Sequence, residues 1–155
     1  MGQLNSDVNV AHTMRDACKH EASRLERRPY SGRGIITASE GSKRMLQTLT
    51  SVSILRKSCD LPVELFYADA DELTPDQIRT LSGFGVECIN VQSFLAFEGY
   101  NARNFSIKAV ALYLSSFEEV IWMDADIIPL KNMEDLFDIP SYKRDGQFFF
   151  EDIFS

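Results

Sequence analysis

The chain has 155 residues, of which 45% are hydrophobic and 25% are charged, and its formal net charge is -7. This length and composition predict one globular domain that is large enough to bury its own core. The acidic balance argues against a surface that binds polyanions, so we expect no nucleic acid partner.

The first 30 residues differ in character from the rest of the chain. Residues 1–30 are polar, charged and aperiodic, and we interpret them as an N-terminal tail that precedes a folded part over residues 31–155. No stretch approaches the roughly 20 apolar residues of a membrane helix. The N-terminus also has no apolar core of a signal peptide. The three cysteines show no C-x-x-C spacing, so they do not indicate a zinc site.

Apolar runs rich in β-branched residues alternate with segments of helical periodicity along the folded part. Thr74 followed by Pro75 is a typical helix start, with Thr74 as the N-cap. The predicted strands cover residues 34–39, 61–68, 86–91 and 119–124, with a fifth strand or apolar end over 146–154. The predicted helices cover residues 41–59, 74–85 and 104–117, with a short helix over 132–137.

This alternation predicts the α/β class. Strands that are apolar on both sides and separated by helices are typical of a parallel sheet covered by helices on both faces. The chain stops directly after the apolar segment 146–154. Such a segment is normally covered by something that follows, so we expect a domain truncated at its C-terminus.

The stretch "VIWMDAD" combines an apolar strand with two carboxylates, Asp124 and Asp126. Ligands of open parallel sheets bind beyond the carboxyl ends of the strands. If the chain remains extended there, both acids point the same way while Ala125 points opposite. Two adjacent carboxylates suit Mg²⁺ or Mn²⁺, which take further ligands from water and substrate phosphates. The other interpretation is a pair of loop caps.

Two enzyme classes place Asp-x-Asp after an apolar strand. In phosphatases of the haloacid dehalogenase type the first acid is a nucleophile, and Thr or Val usually stands two positions after the second acid. Here Ile128 occupies that position and the strand is the fourth, not the first. The midway position favours a metal-dependent glycosyltransferase of the GT-A type.

Three ordered blocks resemble the fungal α-mannosyltransferase family that includes the Mnn1-like and Mnn2-like Golgi enzymes (glycosyltransferase family 71). The first block is "GIITASEGSKRMLQTLTSVSILRKSCDLPVELFYA" over residues 34–68. The second is "FSIKAVALYLSSFEEVIWMDADIIPL" over residues 105–130, and the third, weaker block is "GQFFFEDIF". Residues 124–137 alone would also fit the glycogenin-like transferases, which share the fold.

The resemblance implies a GT-A fold with a Rossmann-like parallel sheet, of which residues 31–155 would be the N-terminal, donor-binding half. It also implies a GDP-mannose donor, a divalent metal (Mn²⁺ or Mg²⁺), retention of configuration, and glycan or mannoside acceptors in the Golgi lumen. By the same resemblance, Asp126 would bind mainly the metal, and Asp124 would share it or accept from the ribose hydroxyls. Thr37 and Ala38 would pack near the nucleoside, and Lys108 would reach the diphosphate.

The chain also departs from that family. Its members usually carry an N-terminal membrane anchor, which is absent from these 155 residues, and a longer catalytic domain. Asp152 is the nearest candidate for a catalytic acid, although a strand-capping role fits it better, and no catalytic residue is assigned. Asn104 fits both an N-glycosylation triplet and a helix N-cap. A second hypothesis is therefore an inactive remnant that acts only as a nucleotide-binding or complex-forming module.

Overall fold

The computed structural model describes four stretches of the chain, residues 30–39, 42–68, 71–93 and 106–149. Three sequence predictions fall elsewhere and lie outside the described residues: the polar tail over residues 1–29, the helix cap at Asn104 and the catalytic candidate Asp152.

Four parallel strands form one sheet in the order β3-β2-β1-β4. All four were predicted from their apolar runs, with small differences at the ends. They are β1 (Arg33–Ser39), β2 (Val63–Tyr67), β3 (Val86–Asn90) and β4 (Glu119–Trp122). The predicted α/β class with a parallel sheet is confirmed, and β1 lies between β2 and β4.

Three helices connect these strands, namely α1 (Ser42–Leu55), α2 (Pro75–Gly83) and α3 (Ser106–Leu114). The predicted start of α2 is confirmed, because the Thr74 hydroxyl accepts from the Gln77 backbone N–H at 3.3 Å. The Gln77 side chain accepts from the Thr74 N–H at 2.8 Å, which completes a capping box. Both α1 and α3 end several residues before the predicted ends.

Helices cover both faces of the sheet, as predicted. The odd-numbered side chains of β1 and β2 face α1 and α2, and the even-numbered ones face α3, because successive strand residues point to opposite sides. The first face includes Ile35, Leu65, Val52, Leu81 and Phe137. The second includes Ile36, Phe66, Ile89, Ile107 and Ala111.

The segment after β4 differs most from the prediction. The predicted short helix is a 3₁₀ helix over Met133–Asp138, and an unpredicted helix α4 (Pro140–Asp145) follows it. No residue of α4 is buried, which explains why its sequence shows no apolar periodicity from which the helix could be predicted. The predicted fifth strand is wrong over residues 146–149, which form no strand and expose Phe149, since Gly146 ends α4 in a left-handed conformation.

The strand order places a topological switch point between β1 and β4. The helices α1 and α2 lie on one face and α3 lies on the other, so the connections run to opposite sides of the sheet at the β1–β4 seam. In open parallel sheets this seam is where ligands bind, beyond the carboxyl ends of the strands. The acidic pair Asp124 and Asp126 begins two residues after the end of β4 and therefore lies at the carboxyl ends of the strands.

Candidate functional site

The two acids lie on a turn, not on an extended strand. Met123 still bonds to β1 through its N–H and the Ile36 carbonyl, at 2.9 Å. The Ile127 N–H then bonds to the Asp124 carbonyl at 3.1 Å, which closes a turn. The premise that both acids point the same way from an extended chain is therefore wrong. Within the turn Ala125 is buried and Asp126 is exposed.

One oxygen of Asp124 is held by two donors. The Lys108 ammonium donates to Asp124 Oδ1 at 2.7 Å, and the Trp122 indole N–H donates to the same oxygen at 2.8 Å. The Lys108 nitrogen also lies 5.2 Å from the centroid of the Trp122 ring, within the range of a cation–π contact. The second oxygen of Asp124 accepts neither of these bonds.

The charges around Asp124 keep it ionised. Partial burial of the carboxyl raises its pKa, but the hydrogen bonds from Lys108 and Trp122 and the charges of Lys108 and Arg44 outweigh that effect, so the pKa lies below its ordinary value. Lys108 belongs to the first turn of α3 and Arg44 to the first turn of α1, on opposite faces of the sheet. Positive charge therefore acts on the Asp124 carboxylate from both faces of the sheet.

The Asp126 carboxylate is differently placed. Its side chain is exposed, and within residues 30–39, 42–68, 71–93 and 106–149 no hydrogen bond or ion pair to it is found. An exposed, unpaired carboxylate at the edge of a sheet is available to a cation from solution. Among the described residues, Asp124 is thus held by two donors, whereas Asp126 is exposed and has no partner.

The two carboxylates would complete the coordination of a divalent cation only together with oxygen atoms from water or a bound ligand. In the described part of the chain, no group of three or more His, Cys, Asp or Glu side chains converges as a metal site. Two carboxylates are nevertheless the usual protein contribution to a Mg²⁺ site that is completed by water and substrate phosphates. Asp126 and the second oxygen of Asp124 would supply that contribution.

Thr37 and Ala38, predicted to pack near a nucleoside, lie side by side on β1 but face opposite ways. The Thr37 side chain is fully buried on the face covered by α1, whereas Ala38 is partly buried on the face covered by α3. The hydroxyls of Thr37 and Ser39 are buried and have no hydrogen-bond partner among the described residues. Buried hydroxyls without a partner are places where water or a polar ligand group is expected.

A serine of α1 holds the acidic turn in place. The buried Ser51 hydroxyl donates to the Ile127 carbonyl oxygen and lies 4.0 Å from the Met123 sulfur. It therefore joins α1 to the residues on both sides of the acidic pair. No signal in the sequence identifies this contact, because it depends on how α1 packs over the end of β4.

Sequence reasoning named Lys108, Asp124 and Asp126 but missed Trp122, Arg44 and Ser51. The contact from Trp122 could have been predicted, since residues two apart at a strand end share a face. The pairing of Lys108 with Asp124, rather than with a diphosphate, depends on the packing of α3 against the sheet. Within the described residues, no helix has the length and hydropathy needed to cross a membrane.

The known proteins to which this chain is similar are mannosyltransferases. A family model described as "Mannosyltransferase putative" matches residues 32–154. The chain is 30% identical over 128 residues, 76% of its length, to the alpha-1,2-mannosyltransferase MNN21 of Candida albicans. It is 26% identical over 144 residues, 90% of its length, to the alpha-1,2-mannosyltransferase MNN2 of Saccharomyces cerevisiae.

These matches cover most of this chain but a minor part of each relative. The aligned region is 19% of the Candida albicans protein and 24% of the Saccharomyces cerevisiae protein. The matched region contains the whole described sheet and the acidic turn at its edge. On the extent of the family match and the agreement among the relatives, the chain belongs to this fungal mannosyltransferase family.

Proposed function

We propose that this chain is the donor-binding part of a metal-dependent α-mannosyltransferase with a GT-A fold. It would transfer mannose from GDP-mannose to a glycan or mannoside acceptor in the Golgi, with retention of configuration. The observation that carries the proposal is the acidic turn at the β1–β4 seam, where Asp124 is held by two donors and Asp126 is exposed with no partner in the part of the chain that the structure describes. Family membership supports the transfer of mannose.

Each residue of the site has a chemical task in this proposal. Asp126 would bind a Mn²⁺ or Mg²⁺ ion, and Asp124 would share that ion or accept a hydrogen bond from the ribose hydroxyls. Lys108 would place an ammonium near the diphosphate as a point charge. The metal would supply electrostatic stabilisation of the negative charge that grows on the GDP leaving group when the bond to the sugar breaks.

The position of Trp122 provides a direct binding assay, since it is the only tryptophan of the chain and its indole contacts Asp124. We expect its fluorescence to change when GDP is added together with Mn²⁺, and to change less with either alone. Asp126→Asn should weaken the Mn²⁺-dependent affinity for GDP by about 10- to 100-fold, since a charged contact contributes about 1.5–3 kcal/mol.

Asp135→Asn is the matched control, because Asp135 is an exposed aspartate on the 3₁₀ helix after the site and should leave the response unchanged. A folded chain that shows no Mn²⁺-dependent response to GDP would contradict the proposal. Binding of GDP without transfer to a mannoside acceptor would support the alternative of an inactive nucleotide-binding module.

A further inference from the structure

The contact between Lys108 and Asp124 occupies a carboxylate oxygen that a cation would otherwise approach. Lys108 Nζ lies 2.7 Å from Asp124 Oδ1, and the two side chains are 39% and 46% exposed. Because both partners are half in solvent, the ion pair is screened and can exchange at little cost. The same ammonium rests against the Trp122 ring, so its position is defined by two contacts.

A divalent ion that arrives alone meets an unfavourable field. The ammonium of Lys108 neutralises Asp124, and the charge of Arg44 acts on the same carboxylate from the other side of the sheet. Because like charges repel, these two cations disfavour the binding of a further cation at Asp124. A diphosphate that arrives with the ion reverses this balance, since its negative charge gives the displaced ammonium a new partner.

We propose that Lys108 is an exchangeable counter-ion that holds Asp124 in the free protein and transfers to the diphosphate when a metal–nucleotide complex binds. The site then accepts a divalent metal and a nucleoside diphosphate as a pair, and each ligand strengthens the binding of the other. This inference rests on the proposed function and specifies how its ligands enter.

Isothermal titration calorimetry of the full chain with Mn²⁺ alone, GDP alone and GDP in excess Mn²⁺ measures this coupling. Lys108→Gln removes the counter-ion, so its affinity for Mn²⁺ alone should rise by about threefold or more. Its affinity for GDP in the presence of Mn²⁺ should fall by about tenfold, since the ammonium–diphosphate contact is lost. The two changes have opposite signs, which a general loss of structure would not produce.

Two further variants complete the test. Lys108→Arg keeps the positive charge and should retain the weak binding of Mn²⁺ alone. Lys57→Gln removes an exposed lysine beyond the C-terminal end of α1, far along the chain from the acidic turn, and should leave all three affinities unchanged. Trp122 fluorescence should also change on binding of the Mn²⁺–GDP pair in the wild type, as the ammonium leaves the ring.

An unchanged or lower affinity of Lys108→Gln for Mn²⁺ alone would overturn the exchange, while binding of the Mn²⁺–GDP pair by the wild type would still support the proposed function. Failure of the folded wild type to bind the pair at all would overturn both. Equal tightening of Mn²⁺ binding in Lys57→Gln would show a general charge effect and would also overturn the exchange.

Discussion

Gly34 of β1 leaves room for an aromatic ring, and replacing it with alanine tests this packing. A Cβ atom at Gly34 would lie 2.2–2.4 Å from three carbon atoms of the Phe117 ring. Carbon atoms in contact normally stay about 3.5 Å or more apart, so the ring would have to move by more than about 1 Å. Phe117 precedes β4 and packs against the same face as α3, so this movement would disturb the support of the β1–β4 seam.

The expected loss of stability follows from two opposing terms. Overpacking of this kind costs about 1–3 kcal/mol. Replacement of glycine restricts the unfolded chain and returns about 0.4–1 kcal/mol. We therefore expect Gly34→Ala to lower the free energy of unfolding by about 1–2 kcal/mol, which corresponds to a decrease in Tm of about 2–8 °C for a chain of this size.

Thermal and urea unfolding followed by circular dichroism measure this change. Gly83→Ala is the matched control, because nothing lies within 4 Å of a Cβ at this helical position, so it should be neutral or slightly stabilising. When Phe117→Leu is added to Gly34→Ala, the smaller side chain should remove the clash, so the double variant should recover most of the stability lost in Gly34→Ala. If Gly34→Ala is as stable as the control, Phe117 does not fill this space and the reasoning is refuted.

Two further predictions concern the site and the opposite end of the sheet. Ser51→Ala removes the hydrogen bond to the Ile127 carbonyl. This substitution should lower the free energy of unfolding by about 1 kcal/mol and should weaken Mn²⁺-dependent GDP binding. A loss of stability with unchanged GDP binding would contradict the role of Ser51 in positioning the acidic turn. The hydrogen bonds from Arg33, at 2.8 Å, and from Tyr142, at 2.7 Å, lower the pKa of the Glu119 carboxyl. Since the folded pKa is the lower one, the contribution to stability is present at neutral pH and is lost as the pH falls below about 4. The Tm of Glu119→Gln should therefore decrease less than that of the wild type between pH 6 and pH 3, and parallel curves would exclude this contribution.

The regular elements could be predicted because their signals are local. The apolar run of β2 and the Thr74–Pro75 start of α2 each depend on residues close in the chain, and both are observed. The helix α4 and the exposed residues 146–149 were missed or misassigned. A six-residue helix without a buried side chain has no hydrophobic periodicity to detect. An aromatic run that suggests a strand forms one only if a partner strand is present.

The candidate site was predicted in composition but not in geometry. Asp124 and Asp126 were named from their position after an apolar strand, and Lys108 from a resemblance. Their arrangement depends on a turn that contains both acids and on a salt bridge between residues 16 positions apart. A local pattern does not contain these contacts, because they form only when α3 packs on the sheet.

The sequence by itself determined an α/β alternation that includes the four parallel strands of the described sheet, and an acidic pair after the fourth of them, since hydrophobic periodicity and strand ends are properties of neighbouring residues. It also determined the family, because ordered blocks along the chain are compared residue by residue. Only the tertiary structure decided the strand order β3-β2-β1-β4, which places the acids at the seam beside β1. The tertiary structure also decided that, among the described residues, Asp124 is paired and Asp126 is not. The positions of Lys108 and Trp122 relative to the Asp124 carboxylate are set by the packing of the helices on the sheet.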